Sequence, residues 1–302
     1  MKFKNTLFVS SAIALSCAVM FSACVEETSD QPEDSTPVEQ PNDKDDQAIA
    51  GGVVKYGGEI FSIPSPIQTA MMIRRGNVPY NEKVMNSTES AESYKNQFKK
   101  ALNLGVYGAD LAYLANFNNS ALCIDYFNVI DAMASDLGVA SDIDPSLMTR
   151  FHENVDNQDS LLALNADLYK EINQYLKDNE RNEAASLILA GGWIESLNIS
   201  VDAAMQDSVI RQRIGEQQSA LNSILALLAE DDDAQVVELR TSMMELKTIF
   251  DGMQREYVYV KPITDAGQKT TYINSKTNIV VTDEELQAIA KTVEQIRSFI
   301  IG

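Results

Sequence analysis

The chain has 302 residues, with 44 Asp and Glu against 24 Lys and Arg and a formal net charge of −20. A chain this acidic repels phosphate backbones, which disfavours nucleic acid as a partner. Cys17 and Cys24 lie within the first 24 residues, so the rest of the chain holds one histidine and one thiol, Cys123, too few for a zinc centre of the usual kind, and a Ser-His-Asp triad would have to run through His152, where no nucleophile motif stands.

At the amino terminus Lys2 and Lys4 precede an apolar run from Leu7 to Phe21, the layout of a secretory signal peptide. The run is shorter than the ~20 residues that a spanning helix needs. Phe21-Ser22-Ala23-Cys24 resembles the lipobox of bacterial lipoproteins. That resemblance implies that residues 1–23 are removed and that Cys24 is acylated, and two or more acyl chains give stable membrane attachment. Val25 stands where an inner-membrane retention aspartate would be. Glu26-Glu27 is similar to the acidic export signal of Bacteroidota surface lipoproteins. The implied location is the outer membrane, facing the periplasm or the cell exterior. Between residues 25 and 50 nine acids, one lysine and three prolines accompany almost no large apolar residue, so 24–50 is expected to be a disordered acidic tether.

Residues 51–302 keep 21 Lys and Arg against 35 Asp and Glu, and are expected to form one mainly α domain. After a glycine-rich start, Ser65-Pro66 opens a short helix, and Arg74, Arg75 and Gly76 close it. Further helices are predicted over 90–116, 120–137, 145–154, 159–177, 182–204, 207–229 and 233–253 from apolar periodicity near 3.6. Short polar joints such as Lys177–Glu183 and Glu230–Asp233 predict antiparallel neighbours in a multi-helix bundle. The stretch 255–282 is rich in Val, Ile, Thr and Tyr around "TDAGQK" and reads as a β-hairpin. Thr282 and Glu285 form a capping box for the last helix.

Two stretches are unusual. In "KKALNLGVYGADLAYLANF", Ala101, Gly105, Gly108, Ala112 and Ala115 share one helical face. In "SLILAGGWIESLNIS", Gly191 and Gly192 interrupt an apolar helix beside Trp193, the sole tryptophan. A helical glycine costs ~1 kcal/mol relative to alanine, so these need a reason. One reading is a seam of two closely packed helices under Tyr107 and Trp193. The other is a pocket floored by glycines, walled by Tyr107, Tyr113 and Trp193, with Asp110 and Glu195 as polar anchors. Apart from tyrosines, Asp110 is the sole ionisable side chain between Leu104 and Ala115, so it is either paired or raised in pKa. Sliding one stretch by 86 positions aligns Gly105 with Gly191, Tyr107 with Trp193 and Leu111 with Leu197, the mark of a duplicated helical unit. The acidic groups in "SDIDPS" and "AEDDDAQ" lack EF-hand spacing and read as helix caps. Cys123 lies in a helical apolar pattern and reads as a buried structural thiol.

Together, the lipobox, "SIPSPIQTAMMIRRG", "KKALNLGVYGADLAY" and "LAGGWIESL" resemble a group of helical Bacteroidota lipoproteins. The resemblance implies location and a helical fold and brings no activity, cofactor or metal with it. The functional expectation is an outer-membrane-anchored lipoprotein with a non-catalytic binding or accessory role in the envelope. Its partner would be an envelope protein or a small ligand. The alternative is a hydrolase or lyase using Asp110 and Glu195 as an acid-base pair in a Gly-lined cleft.

Overall fold

The computed structural model describes residues 53–302, apart from 57–58, 118, 140–145, 179–180, 266 and 268. The leader (1–23), Cys24, the tether (24–50) and Asp144-Pro145 lie outside the described residues.

The described fold is mainly α. Its helices are α1 (Pro66–Arg75), α2 (Gln97–Leu114), α3 (Ser120–Asp136), α4 (Ser146–Glu153), α5 (Gln158–Asp178), α6 (Asn182–Ala204), α7 (Ser208–Gly215), α8 (Gln218–Leu228), α9 (Ala234–Gly252) and α10 (Asp283–Ile301). Caps set several of the boundaries. Ser65 and Gln68 form a capping box on α1 with Pro66 in its first turn, and Thr282 and Glu285 do the same for α10. Asp207 caps α7 and Asp233 caps α9 through their carboxylates.

Helices α2 and α6 form the centre. Both are buried round most of their circumference, α2 from Ala101 to Leu114 and α6 over most of Ser186–Ala204. By length and hydropathy α6 could cross a membrane, but 78% of its apolar window is buried inside the body, as expected of a core helix. The two helices meet at glycines. A Cβ on Gly105 would land on the Ile188 carbonyl oxygen, and one on Gly191 would land on the Leu102 carbonyl oxygen. The two contacts are related by the same 86-residue offset that aligns the two sequences, because 102 maps to 188 and 105 to 191. Only residues without a side chain allow backbones this close. Around this pair, α9 and α10 each present a stripe spaced three and four residues apart: Val236, Leu239, Met243, Leu246 and Phe250 on α9, and Leu286, Ile289, Val293, Ile296 and Ile300 on α10.

The structure departs from the sequence expectation in four places. β1 (Val53–Tyr56) and β2 (Glu59–Ser62) pair antiparallel, where no strand was expected. The helix expected from 90 begins at Gln97, because the Asn96 side chain accepts from Lys99 N at 2.7 Å. Residues 77–96 instead form an irregular strap with 3-10 turns at Glu82–Val84 and Thr88–Ser93. The helix expected over 207–229 is two helices, broken after Gly215. A Cβ on that glycine would come within 2.7 Å of Ile279 Cγ2 and 3.0 Å of Val281 Cγ2, so the base of the C-terminal hairpin presses on the chain there.

The fourth departure is within that hairpin. β3 (Gln254–Val258) pairs with β6 (Lys276–Val280), and β4 (Ile263–Asp265) pairs with β5 (Thr270–Tyr272), all antiparallel. Between the two ladders, 259–262 face 273–275, so one strand carries one extra residue and the ribbon contains a bulge. The Ser275 hydroxyl fills the gap by accepting from Val260 N at 2.9 Å and donating to Val260 O at 3.0 Å.

Candidate functional site

Beyond the glycine contact, Asp110 lies five residues along α2 and Glu195 four residues along α6. The structure brings these two sequence-selected carboxyls together in the middle of the body, each with 0% exposure. They lie within hydrogen-bonding reach of each other. From α10, the Arg297 guanidinium grips Glu195 with two parallel bonds, Nε to Oε2 at 2.6 Å and Nη2 to Oε1 at 2.8 Å. Arg297 Nη2 also donates to Val84 O at 3.2 Å. A two-bond fork of this kind fixes geometry as well as charge.

Among the described residues Asp110 has no cation of its own. Its Oδ2 accepts from the Asn86 backbone N–H at 3.1 Å, and its Oδ1 meets no N–H or hydroxyl donor. Burial pushes the Asp110 carboxyl well above the usual carboxylate range, and the neighbouring Glu195 pushes it further, against the Asn86 bond and Arg297. Burial raises Glu195 as well, opposed by the Arg297 guanidinium. Around them the strap is sewn to the helices by side chains. Tyr126 Oη donates to Asn86 O at 2.6 Å, Tyr107 Oη to Ser87 O at 2.8 Å and Asn198 Nδ2 to Val84 O at 2.9 Å. Asn86 Nδ2 donates to Tyr94 Oη at 3.0 Å and Asn103 Oδ1 at 3.4 Å. Asn81 N–H donates to Tyr113 Oη at 2.9 Å.

The other sequence candidates occupy separate places. Gly105 and Gly191 fill the helix contact and floor no cleft, with Gly192 N close to the same contact. The Gly108 carbonyl accepts from Asn165 Nδ2 on α5 at 3.1 Å. Tyr107 stands edge-on to Tyr126, and Tyr113 packs with Tyr80 and Phe117. Trp193 points to another side of the body, where its Nε1 donates to Gln217 Oε1 at 3.2 Å. It lines a crevice of about 280 Å³, open mouth included, between α1, α6 and α7, with Thr69, Ser196, Arg213 and Gln217. That crevice contains neither Tyr107 nor Tyr113. That volume includes open solvent; the room it encloses for a water-sized body is about 20 Å³, enough for about one water. Cys123 is a free, fully buried thiol, and burial pushes it up to about 11. Among the described residues no three His, Cys, Asp or Glu side chains converge as a metal would need.

Sequence reasoning passed over Arg297, Asn86, Tyr126 and the strap. Arg297 carried a signal, because it follows Ile296 directly and lies four residues after Val293, at the edge of the buried α10 stripe. Asn86-Ser87-Thr88, a cluster of turn-forming side chains just before the helix expected from Ser90, was the signal for the strap.

Compared with models of protein families, with curated proteins and with solved structures, the chain matches none. Function is therefore argued from the geometry. An enclosed carboxyl pair neutralised by Arg297 can hold a proton and brace three helices.

Proposed function

We propose that this chain is an outer-membrane lipoprotein, anchored through Cys24 and held off the membrane by its acidic tether, with a non-catalytic binding role in the envelope. The observation that carries the non-catalytic part is the enclosure of Asp110 and Glu195, both at 0% exposure. The binding part rests on the C-terminal hairpin. Of the eleven exposed large apolar side chains among the described residues, seven stand on it: Tyr257, Tyr259, Val260, Ile263, Tyr272, Ile273 and Val280. A concentration of this kind on one projection is a mark of an interaction surface. A two-stranded ribbon is also marginal alone in water.

The charge of the ribbon indicates the kind of partner. Residues 254–280 carry Arg255, Lys261, Lys269 and Lys276 against Glu256 and Asp265, a net +2 in an otherwise acidic chain. The partner is accordingly a protein with an acidic, partly apolar docking face. The test compares complexes extracted from membranes in mild detergent, for the wild type and for a variant with Tyr257, Tyr259, Ile263 and Ile273 changed to Ser. The wild type should sediment as a complex heavier than the monomer, and the variant as the monomer. Identical sedimentation of the two would overturn the reading. A complex of twice the monomer mass would replace the foreign partner with a second copy of the chain. Cys24→Ala tests the anchor, because it should move the protein from the membrane to the soluble fraction.

A further inference from the structure

Two carboxyls are closed to water beside a guanidinium whose side chain is 15% exposed, and Glu195 already accepts two bonds from Arg297. If both acids were ionised, the cluster would bury one uncompensated negative charge, and two like charges would act on each other at short range with Asp110 Oδ1 left without a donor. Neither situation is stable in a low-dielectric interior. A proton on Asp110 resolves both, because the carboxylic acid then donates to Glu195 through the oxygen that otherwise has no partner, while Oδ2 goes on accepting from Asn86 N.

We propose that Asp110 and Glu195 form a proton-binding site that latches the 77–96 strap onto the helical body. The strap covers the site through Asn86, whose N–H rests on Asp110, and through Val84, whose carbonyl accepts from Arg297 on the Glu195 side. Loss of the proton puts two facing negative charges under the strap and favours its lifting, which admits water to the pair. The charged and titratable groups around the site are Arg297 on α10, Tyr107 on α2, Tyr126 on α3, and Tyr80 and Tyr94 on the strap, with Glu82 beyond them acting on Tyr80 and Tyr126. Burial pushes Tyr80 up to about 12 and raises Tyr107 and Tyr126 above the usual phenol range, so these three stay neutral wherever the carboxyl pair titrates. From α5, Asn165, which bonds the Gly108 carbonyl beside the site, is uncharged.

The direction follows from linkage. A carboxyl whose folded value is raised contributes stability that is complete below its unfolded value of ~3.9 and is lost as pH rises through the folded value. The test is carried out on the full chain and on Asp110→Asn, which keeps an acceptor for Asn86 N and a donor for Glu195 but cannot ionise. At neutral pH the wild-type infrared spectrum should contain a protonated-carboxyl C=O band that Asp110→Asn lacks. In hydrogen exchange, corrected for intrinsic base catalysis, the opening constant of the Asn86 amide in the wild type should rise roughly ten-fold per pH unit above the unfolded carboxyl value. In Asp110→Asn it should stay flat. Equal slopes in the two proteins, or a neutral-pH spectrum without the acid band, would overturn the proposal. Should Asp110→Asn fail to fold, the wild type decides alone: an opening constant independent of pH and no acid band refute the latch.

Discussion

The tyrosines of the helical body and those of the C-terminal hairpin have opposite surroundings. In the body Tyr94, Tyr107, Tyr113 and Tyr126 are buried, and their hydroxyls bond to the strap, to Asn86 or to the end of α10. On the hairpin Tyr257 and Tyr259 are 66% and 67% exposed and Tyr272 is 42% exposed. The same residue type thus completes the fold in one region and is displayed to solvent in the other. An aromatic ring with a polar tip suits both uses, because its apolar face fills space or meets a partner while its hydroxyl finds a bond. The comparison separates what the chain needs in order to fold from what it presents.

Substitutions can break that separation from either side, and the largest effects should come from the body. Glu195→Ala strands the Arg297 guanidinium without its carboxylate, and removing one partner of a buried ion pair typically costs about 3–5 kcal/mol. Denaturant unfolding would measure the loss, and a cost near zero would mean that the cluster is hydrated. Gly105→Ala and Gly191→Ala should each cost about 1–3 kcal/mol or more, because the new methyl meets a facing backbone carbonyl and the helices must part. Melting temperatures of the two variants should fall alike, since their contacts are reciprocal. A fall in one alone would contradict that reciprocity.

Smaller effects are expected elsewhere. Cys123 should resist alkylation in the folded protein and react only on unfolding, because it is enclosed and burial keeps its thiol protonated. Rapid labelling under native conditions would show that α3 opens readily. The quadruple Ser variant of the hairpin should stay within about 0.5 kcal/mol of the wild type in stability while changing what the protein associates with. A large destabilisation would show that the ribbon belongs to the core and remove the contrast between the two regions.

Much of the fold is legible because local signals and tertiary structure agree. Ser65-Pro66 and Thr282 with Glu285 mark helix starts that the caps satisfy, and α6 spans the residues that its periodicity predicts, Asn182–Ala204. Asp110 and Glu195 stood out because an acid within an apolar run requires an explanation. The strap was legible only in part, because residues 77–89 lie outside every expected helix while 90–96 were read as the start of one. Its side chains can continue a helix, and only bonds from Tyr107, Tyr126, Asn198 and Arg297, up to 213 residues away in sequence, hold it in another shape. Nor could the sequence place Arg297 against Glu195, since their separation of 102 residues leaves no local trace. The β1/β2 pair was overlooked although Gly57-Gly58 between "VVKY" and "EIFS" is the two-residue turn signal for it.

The central claim is that a closed body displays the hairpin for binding, and the sedimentation of membrane extracts tests it most directly when three proteins are run together. Wild type and Asp110→Asn should both travel as the heavier complex, and the hairpin Ser variant should travel as the monomer. Loss of the complex in Asp110→Asn with retention in the hairpin variant would contradict the account and place the binding surface on the body.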